Sequence, residues 1–447
     1  MNGFGYQKKK GGRIKKLALI LLLPFIILVL SYTAYKLFLI PSPVVEGIDA
    51  FKLLPADKTI TIHGKNLKSI EVSVTQDLKS VELLRDEPAG MEKTYILQVK
   101  PKALGLRDGP AVVTVQARSG ILKKVDYKVD AVIDTVAPKL RVVDAPSIVY
   151  PGMGTVALLR AEGADSVFVR IDEGEPFKAY KTSAGSGGDY VVFFPVPFDI
   201  KNKAVFYAVA QDHAGNETIR TLPTKVKKKT FRRSSIRISD DFIKRVVYPL
   251  FNETDLPPDP VSAFLKVNEK WRDRDVKRLG VIGRQSEPRM LWKGRFLQLK
   301  NSKVMAAYGD RRVYLYKGKP ISRSVHLGYD LASVANAPVG AANSGIVKFA
   351  GDLGIYGNAV IIDHGLGLMS LYGHLSEILV KDGQSVKKGE LIAKTGSSGL
   401  AGGDHLHFGI LVQGIEVSPL YWWDPRWIKA NVGFIGSMVS KGLRKNR

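Results

Sequence analysis

The sequence predicts a mainly β protein with one N-terminal helix and a short helical connector. Three observations support this. Short runs of alternating apolar and polar residues recur along most of the chain, an uncharged apolar segment covers Leu17–Tyr35, and helix-start signals cluster between residues 231 and 300. The chain has 447 residues, of which 45% are apolar. That length and composition suffice for two to four domains with ordinary hydrophobic cores.

Composition excludes several kinds of site. The chain contains no cysteine, which rules out thiolate metal sites, a cysteine nucleophile and disulfides. Its formal net charge of +25 predicts loose, salt-sensitive attraction to anionic surfaces. The sequence has no zinc-finger spacing, helix-turn-helix or aromatic RNA-binding signature. We therefore expect no nucleic-acid partner and assign the positive charge to the cell envelope.

The N-terminus predicts a single-pass signal anchor. Residues 1–16 carry six basic residues and no acid, and Leu17–Tyr35 carries no charge at all. That apolar run is close to the about 20 residues that span a bilayer. The basic flank should stay in the cytoplasm, which places the rest beyond the inner (cytoplasmic) membrane, in the periplasm or outside. We predict a cytoplasmic segment at 1–16 and an anchor at 17–40. A cleavable signal peptide is the alternative, but no A-x-A-like cleavage site follows.

The region after the anchor predicts two immunoglobulin-like β-sandwich modules. The alternating runs are Thr59–His63, Tyr95–Val99, Ala111–Gln116, Ser166–Arg170, Tyr190–Phe194 and Ala204–Ala210. Turn-forming residues separate them, which is the spacing of β-sandwiches. Thr135-Val-Ala-Pro138 marks a boundary, so the modules are expected at 44–136 and 138–228. A β-sandwich by itself indicates no particular function.

A helical connector is predicted over 231–300. Ser239 is a candidate N-cap that precedes two aspartates, and Asp259 is a second candidate that precedes Pro260. The second helix would place its apolar residues along one side, and these are Val261, Phe264, Leu265 and Trp271. We favour packing of this stripe against the neighbouring domains. The alternative hypothesis is a cover that restrains a functional site.

The last third of the chain predicts a metal site. It holds five of the seven histidines, including His326-Leu-Gly-Tyr-Asp330 and His405-Leu-His407. If Asp404–Ile410 is a strand, His405 and His407 project to the same face, because side chains alternate along a strand. His326 and Asp330 lie on either side of Gly328 in a predicted loop, so both side chains can reach the same ion. Three protein ligands with an open fourth position are typical of catalytic zinc.

These residues, with others in the same order, resemble the LytM/lysostaphin-type zinc metallopeptidases, which cut peptide cross-links of bacterial cell walls. The resemblance runs from about Ser302 to Trp427. It rests on His326-Leu-Gly-Tyr-Asp330, Val360-Ile-Ile-Asp-His-Gly365, Leu371-Tyr-Gly-His-Leu-Ser376, Gly383-Gln-Ser-Val-Lys-Lys-Gly389 and Gly403-Asp-His-Leu-His-Phe408. It implies an all-β, duplicated hybrid motif-like peptidase domain over 301–430, followed by a basic tail at 431–447.

The resemblance also implies a role for each site residue. His326, Asp330 and His407 match the zinc ligands of the family, and His374 and His405 match its two catalytic histidines. Some members place an oxyanion-holding tyrosine shortly before the first ligand. Tyr314 and Tyr316 lie there, but the spacing singles out neither.

The other histidines have plainer interpretations. His63 and His213 are interpreted as surface or hydrogen-bonded core residues, and His364 as a structural hydrogen-bonding group in a turn. The sequence contains no HExxH motif, so no glutamate base is available from that motif. The base must be another group, and an imidazole next to the metal is suited to that task.

The sequence therefore predicts a membrane-anchored zinc endopeptidase that acts on peptidoglycan. The alternative is a LytM-domain regulator that binds the wall and activates separate amidases without cleaving anything itself. The intact ligand set and the lack of a long heptad pattern favour the enzyme. A wall-binding anchor with a vestigial enzyme ranks third.

Overall fold

The structure is a computed structural model that describes residues 11–35, 41–120, 123–182, 187–252 and 254–433. The mainly β class predicted from the sequence is confirmed. Two compact units are present. The first comprises the described residues up to Ala137 together with His213–Asn216, and the second comprises Pro138–Asp212 and the described residues from Glu217 onward. Most of the predicted basic tail, and the first part of the predicted cytoplasmic segment, lie outside the described residues.

The N-terminal helix α1 covers Gly11–Ala34 and contains Pro24. It begins six residues before the predicted anchor, inside the segment predicted to be cytoplasmic. Within the described ranges, no helix combines the length and hydropathy needed to cross a bilayer. The immunoglobulin-like character of the modules and the signal anchor both stay predictions.

The first unit is a β-sandwich of two sheets. Its strands are β1 (Val44–Glu46), β2 (Leu53–Leu54), β3 (Lys58–Lys65), β4 (Ser69–Gln76), β5 (Lys79–Asp86), β6 (Glu92–Val99), β7 (Gly109–Arg118) and β8 (Lys124–Ile133), with a 3-10 helix at Ile48–Lys52. One sheet has the order β1-β3-β6, and the other has the order β2-β8-β7-β4-β5. Apolar residues of both sheets meet in one core because alternate side chains of each strand face inward.

The second unit begins with another two-sheet module. Its strands are β9 (Lys139–Asp144), β10 (Ile148–Val149), β11 (Gly154–Glu162), β12 (Ser166–Ile171), β13 (Phe177–Lys178), β14 (Tyr180–Lys181), β15 (Gly187–Pro195), β16 (Phe206–Gln211), β17 (Glu217–Thr221) and β18 (Lys225–Val226). The two four-stranded sheets have the orders β14-β15-β11-β9 and β13-β12-β16-β17. All six alternating runs noted in the sequence overlap a strand of one of the two modules.

The rest of the second unit contains a ten-stranded sheet and a three-stranded sheet. Its strands are β19 (Arg233–Ile238), β20 (Lys303–Ala306), β21 (Asp310–Tyr316), β22 (Lys319–His326), β23 (Tyr329–Ala332), β24 (Pro338–Gly340), β25 (Gly345–Asp352), β26 (Asn358–Asp363), β27 (Leu368–Ile378), β28 (Ser385–Val386), β29 (Leu391–Thr395), β30 (Leu406–Val412) and β31 (Ile415–Val417). The main path is β20-β23-β30-β27-β26-β25-β28, with β24, β29 and β31 paired alongside. β19, β21 and β22 form a separate three-stranded sheet.

The helices of this unit lie before and after the large sheet. They are α2 (Asp240–Phe242), α3 (Pro260–Leu265), α4 (Arg272–Gly283), α5 (Leu420–Trp423) and α6 (Pro425–Asn431). Two π-helical turns, Ile243–Val247 and Lys266–Trp271, extend α2 and α3. Both predicted N-caps are present, since Ser239 accepts a hydrogen bond from the Phe242 amide and Asp259 accepts one from the Ser262 amide.

The connector stripe differs from its prediction. Ala263, Phe264 and Val267 are buried, whereas Leu265 and Trp271 are only half-buried. The π-helical turn Lys266–Trp271 accounts for Trp271, because it adds a residue to the helical repeat, whereas Leu265 lies before the turn and its partial exposure has no such explanation. The buried residues pack against the large sheet, which was the favoured role of the stripe.

The central strands of the large sheet are buried on both faces. On β26, for example, Val360 and Ile362 belong to the core shared with the second module, whereas Ile361 belongs to the core shared with the connector. Alternation of side chains along the strand sends neighbouring residues to opposite faces. The sheet is therefore held between the module on one side and the connector on the other.

Gln413 forms hydrogen bonds between the module and the large sheet, in addition to their shared apolar core. The side chain of Gln413, at the end of β30, accepts a hydrogen bond from the Lys178 amide at 2.8 Å and donates to the carbonyls of Lys178 and Phe193 at 2.9 and 2.8 Å. Gln413 is buried. Its loss would leave the buried Phe193 carbonyl and two partly buried backbone groups of Lys178 without these partners.

We expect Gln413→Ala to lower the free energy of unfolding of the second unit by about 1–3 kcal/mol, the cost of unsatisfied buried polar groups. Urea unfolding followed by tryptophan fluorescence measures this, because all five tryptophans lie in the second unit. Gln285→Ala is the control, since Gln285 is exposed in the same unit. Equal unfolding midpoints for the two variants would show that the glutamine bonds do not join the module to the sheet.

Candidate active site

All five predicted site residues line one cleft, and strand register aligns three of them, Asp330, His374 and His407. Asp330 on β23 lies directly opposite His407 on β30, and His407 lies opposite Gly373 on β27. His374 follows Gly373, and His326 ends β22 beside the same strands. His405 precedes β30 and forms an isolated bridge with Gly396. Residues far apart in sequence therefore meet at one edge of the fold because three adjacent strands hold them in register.

Three ligand-type atoms form a close triangle. His326 Nε2 lies 2.8 Å from Asp330 Oδ1 and 3.1 Å from His407 Nδ1, and the latter two atoms are 3.0 Å apart. In the described part of the chain, these residues form a group able to hold a metal ion. The two histidines are buried and the aspartate is half-buried. Such crowding of polar atoms at low exposure requires a shared partner.

Groups around the triangle orient its members. His326 Nδ1 lies 3.2 Å from the Ala307 carbonyl, which can only accept, so its Nε2 carries the lone pair. Arg312 Nη2 donates to Asp330 Oδ2 at 3.2 Å. Gly328 lies against the His407 ring, where a Cβ would come within 2.5 Å of Nε2 and Cε1. The glycine between His326 and Asp330 thus makes room for the third member.

The triangle fits zinc. Two imidazole nitrogens and one carboxylate oxygen are a common donor set of catalytic zinc sites. Zinc–ligand bonds of about 2.0–2.1 Å in a tetrahedron separate the ligand atoms by about 3.3 Å, close to the observed separations. His407 Nε2 is buried and has no hydrogen-bond partner among the described residues. Nδ1 is therefore the nitrogen of His407 that points to the shared site.

Two further histidines face the same cleft, whose volume is about 150 Å³. His374 Nδ1 is 2.8 Å from the Ser398 carbonyl, and His405 Nδ1 is 2.8 Å from the Gly403 carbonyl. Each Nδ1 must donate to its carbonyl, so each Nε2 is free to accept a proton. The two rings lie 4.8 Å apart, measured between their centroids. His374 has a φ of 62°, a left-handed conformation that is uncommon for a residue other than glycine and that recurs at functional sites.

The protonation properties of the two histidines differ. Burial, with the neighbouring His405 and His407, lowers the pKa of His374 to about 3. Burial also acts to lower the pKa of His405, but interaction with Asp330, whose Oδ1 is 3.6 Å from Nε2, outweighs it and leaves the pKa above its usual value. Burial alone would raise the pKa of Asp330, yet the surrounding histidines hold it well below its usual range. His405 is thus the better proton carrier, and His374 stays neutral at neutral pH.

Sequence reasoning missed three cleft residues. Arg312 on β21, Arg272 at the start of α4 and Tyr356 all line the cleft. The Tyr356 hydroxyl donates to Glu416 Oε1 at 2.9 Å, and burial raises the pKa of Glu416 to about 7. No motif marks these residues, because their positions depend on how the connector and the three-stranded sheet pack.

The two tyrosines before the first ligand do not line the cleft. Tyr314 is buried, with its hydroxyl 2.9 Å from Ser324 Oγ, and the Tyr316 hydroxyl donates to Asp240 at 2.5 Å. His364 is buried away from the cleft, with both ring nitrogens 2.8 Å from partners in Ser344 and Ser370. That arrangement agrees with the structural role favoured for it.

Comparisons with known proteins agree with this geometry. Residues 324–419 match the model of peptidase family M23. One relative is the DD-carboxypeptidase/endopeptidase Mpg of Neisseria meningitidis, 39% identical over 107 residues, which cover 24% of this chain and 25% of Mpg. Another is the peptidoglycan DD-endopeptidase ShyA of Vibrio cholerae, 33% identical over 143 residues, which cover 32% of this chain and 30% of ShyA. The matched segments therefore span less than a third of either relative.

A solved structure is also similar to part of this chain. The catalytic domain of lysostaphin from Staphylococcus simulans is 29% identical, with a TM-score of 0.24, and the match covers 29% of this chain and 96% of that domain. The resemblance seen in the sequence is confirmed, and so is zinc as the cofactor at the level of the family. The C-terminal part of this chain therefore contains a domain of peptidase family M23.

Proposed function

We propose that this chain is a zinc metalloendopeptidase that hydrolyses peptide cross-links of peptidoglycan. One observation carries the proposal: the close triangle of His326, Asp330 and His407 shares a cleft with two histidines whose Nε2 atoms can accept protons. A binding module needs no such combination. Ligands together with positioned bases are what hydrolysis of an amide requires.

The ligand assignments follow from the geometry of the triangle. We assign His326 through Nε2, Asp330 through Oδ1 and His407 through Nδ1 as the zinc ligands. Zinc bound there supplies Lewis acidity toward a carbonyl oxygen and lowers the pKa of water. Arg312 keeps Asp330 oriented by occupying its other oxygen, since a carboxylate that is fixed at both oxygens cannot rotate away from the triangle.

His405 is proposed as the proton carrier. Its ring borders the cleft and its Nε2 lies 3.6 Å from Asp330 Oδ1, so it is placed to take a proton from the attacking water beside a carboxylate that favours the charged imidazolium. The same proton can then pass to the departing amine nitrogen. Its hydrogen bond to the Gly403 carbonyl keeps Nε2 directed at the cleft throughout.

His374 is proposed as a positioning acceptor for the water. Its low pKa keeps it neutral, so Nε2 accepts a hydrogen bond and does not retain a proton. The fixed bond to Ser398 and the left-handed backbone hold its ring in one orientation. His374 and His405 thus act on the same water with different tasks.

The substrate class rests on the relatives. Mpg is named a DD-carboxypeptidase/endopeptidase, and ShyA is named a peptidoglycan DD-endopeptidase. The cleft borders Ala401 and Gly402, and Gly402 and Gly403 are exposed. Small residues along this edge let a substrate peptide approach the backbone closely.

We also propose an inner-membrane location for the chain, with its catalytic domain on the outer side. The basic segment 1–16 before the apolar run Leu17–Tyr35 supports it. So does the exposure of apolar side chains between Leu22 and Leu30 of α1.

We expect purified peptidoglycan sacculi incubated with this chain to release products with new peptide termini, detected by mass spectrometry, only when zinc is present. A parallel sample with chelator is the control, since removing the metal should abolish cleavage. No release in either sample, combined with stimulation of an added amidase, would instead favour the wall-binding regulator.

For the location, we expect the protein to sediment with membranes and its modules to be digested by protease added to spheroplasts. The charge asymmetry gives this orientation. N-terminal sequencing of the mature protein is the decisive measurement. A first residue beyond Tyr35 would mean that the segment is cleaved and the enzyme released.

The proposed roles separate into two classes of variant. His326→Ala, Asp330→Ala and His407→Ala should each lose zinc and activity, because each removes one of three ligands. His405→Ala and His374→Ala should keep zinc but lose turnover by about 10² to 10⁴, as for a lost acid or base. Elemental analysis and cleavage rates measured side by side separate the classes.

The most informative comparison is between the zinc contents of His405→Ala and His407→Ala. General damage to β30 would affect both variants alike, so a difference between them reports their separate roles. His63→Ala is the control, because His63 is an exposed residue of the first unit. Retention of zinc by His407→Ala together with its loss from His405→Ala would reverse the assignment.

A further inference from the structure

Two arginines line the cleft, and one of them comes from the connector. Arg312 lies on β21, whereas Arg272 begins α4, 52 residues before the segment that matches the peptidase family. Both are half-buried. The cleft is therefore completed by a residue outside the matched segment.

Arg272 is held in place by a buried polar network. Its Nε donates to the Asn268 carbonyl at 3.1 Å, and its Nη2 donates to Asn268 Oδ1 at 2.9 Å. Asn268 is only 1% exposed and donates to Ser322 Oγ at 2.9 Å, which donates to Glu269 at 2.8 Å. A guanidinium has five N–H donors, so three remain after these bonds. The network fixes the orientation of the planar guanidinium group of Arg272 and leaves the N–H groups on its outer edge available to a ligand.

The two arginines differ in how far their charge is already paired. Arg312 lies 3.2 Å from Asp330 and 3.7 Å from Asp310. Among the described residues, no carboxylate is within salt-bridge distance of Arg272. The carboxylate Glu416 borders the same small cavity, but its Oε1 accepts the Tyr356 hydroxyl. Arg272 thus presents a preorganised positive charge that the protein itself does not neutralise by direct contact.

The position of Arg272 in the cleft is also defined. A smaller neighbouring cavity of about 40 Å³ is bordered by Arg272, Arg312, His326, Tyr356 and His407, but not by His374 or His405. Arg272 therefore borders both the cleft that contains His374 and His405 and the smaller cavity beside His326 and His407. A peptide bound in the cleft would lie along the wall that Arg272 helps to form.

We propose that Arg272 binds a carboxylate of the substrate peptide close to the scissile bond, with the unused edge of its guanidinium. Planar guanidinium and carboxylate groups match in two parallel charge-assisted hydrogen bonds. Near a scissile amide, a peptide offers neutral carbonyl oxygens and carboxylates, and of these the carboxylate forms the stronger, charge-assisted pair with a guanidinium. The inference rests on the proposed peptidase function and adds a specificity determinant supplied by the connector.

The test compares synthetic cross-link peptides with twins in which the carboxylate nearest the scissile bond is a carboxamide. One pair carries that carboxylate on the acyl side, and a second pair carries it on the amine side. For the zinc-loaded 447-residue chain, we expect kcat/KM for the carboxylate peptide of one pair to exceed that of its twin by about 10- to 100-fold, the range of one charge-assisted pair. In Arg272→Met the ratio should fall to about one, mainly through the carboxylate peptide.

Two further variants isolate the fork from general damage. Arg272→Lys keeps the charge but not the planar fork, so its ratio should be intermediate. Arg278→Met is the matched control, because Arg278 is an exposed residue of the same helix and packs over Phe349. It should keep the wild-type ratio. Thermal unfolding of each variant establishes that the fold is intact.

Binding of the same peptides to His405→Ala gives a readout independent of turnover. If the wild type cleaves no peptide, the proposed function fails, while the ratio of Kd values still tests the arginine. The carboxylate site is overturned if the wild type does not discriminate within either pair, or if Arg272→Met retains the discrimination. Equal losses on a peptide and its twin would also overturn it, since they indicate a structural or transition-state role.

Discussion

The site depends on the register of three neighbouring strands. Asp330, His407 and Gly373 lie side by side across β23, β30 and β27. A slip of one residue in β30 would turn His407 to the opposite face and put a leucine beside the carboxylate, because side chains alternate along a strand. Asp330 and His407 are thus held by the pairing of adjacent strands of the large sheet, and His326 joins them from the end of β22 in the three-stranded sheet.

That register is fixed from both faces of the sheet. Residues of β26, β27 and β30 alternate between a core shared with the second module and a core shared with the connector. Trp422, which is fully buried, packs against Phe193 of the module with ring centroids 6.0 Å apart. A slip by one residue would exchange the side chains of these two cores, so it would disrupt close packing on both faces of the sheet. The module beside the sheet therefore contributes to the geometry of a site that it does not touch.

Sequence reasoning located the five histidine and aspartate positions because they lie in short motifs. In such a motif, residues two positions apart in an extended segment project to the same face, as was predicted for His405 and His407. It could not locate Arg272 or Tyr356, since their place in the cleft follows from packing of separate segments. In the connector stripe it located the buried Phe264 but could not place Trp271, because nothing in the residue pattern signals the π-helical turn at Lys266–Trp271. Alternation of apolar and polar residues predicted the mainly β class. It did not predict that the central strands of the large sheet are buried on both faces.

The connector belongs to the same functional unit as the large sheet, because it both packs on the sheet and lines the cleft. The sequence hypothesis treated 231–300 as a packing element or as a cover that restrains the site. In the structure its buried face packs on the sheet, while Arg272 reaches the cleft wall, so packing and lining belong to one segment. A cover would lie over the ligands and have to move, whereas a wall anchored through buried Asn268 and Phe264 is part of the resting fold. Removing it would take away an arginine and one hydrophobic face of the sheet together. If a variant that lacks the connector loses activity, these two losses explain it directly. A gain of activity in such a variant would require the remaining strands to keep their register without that hydrophobic face.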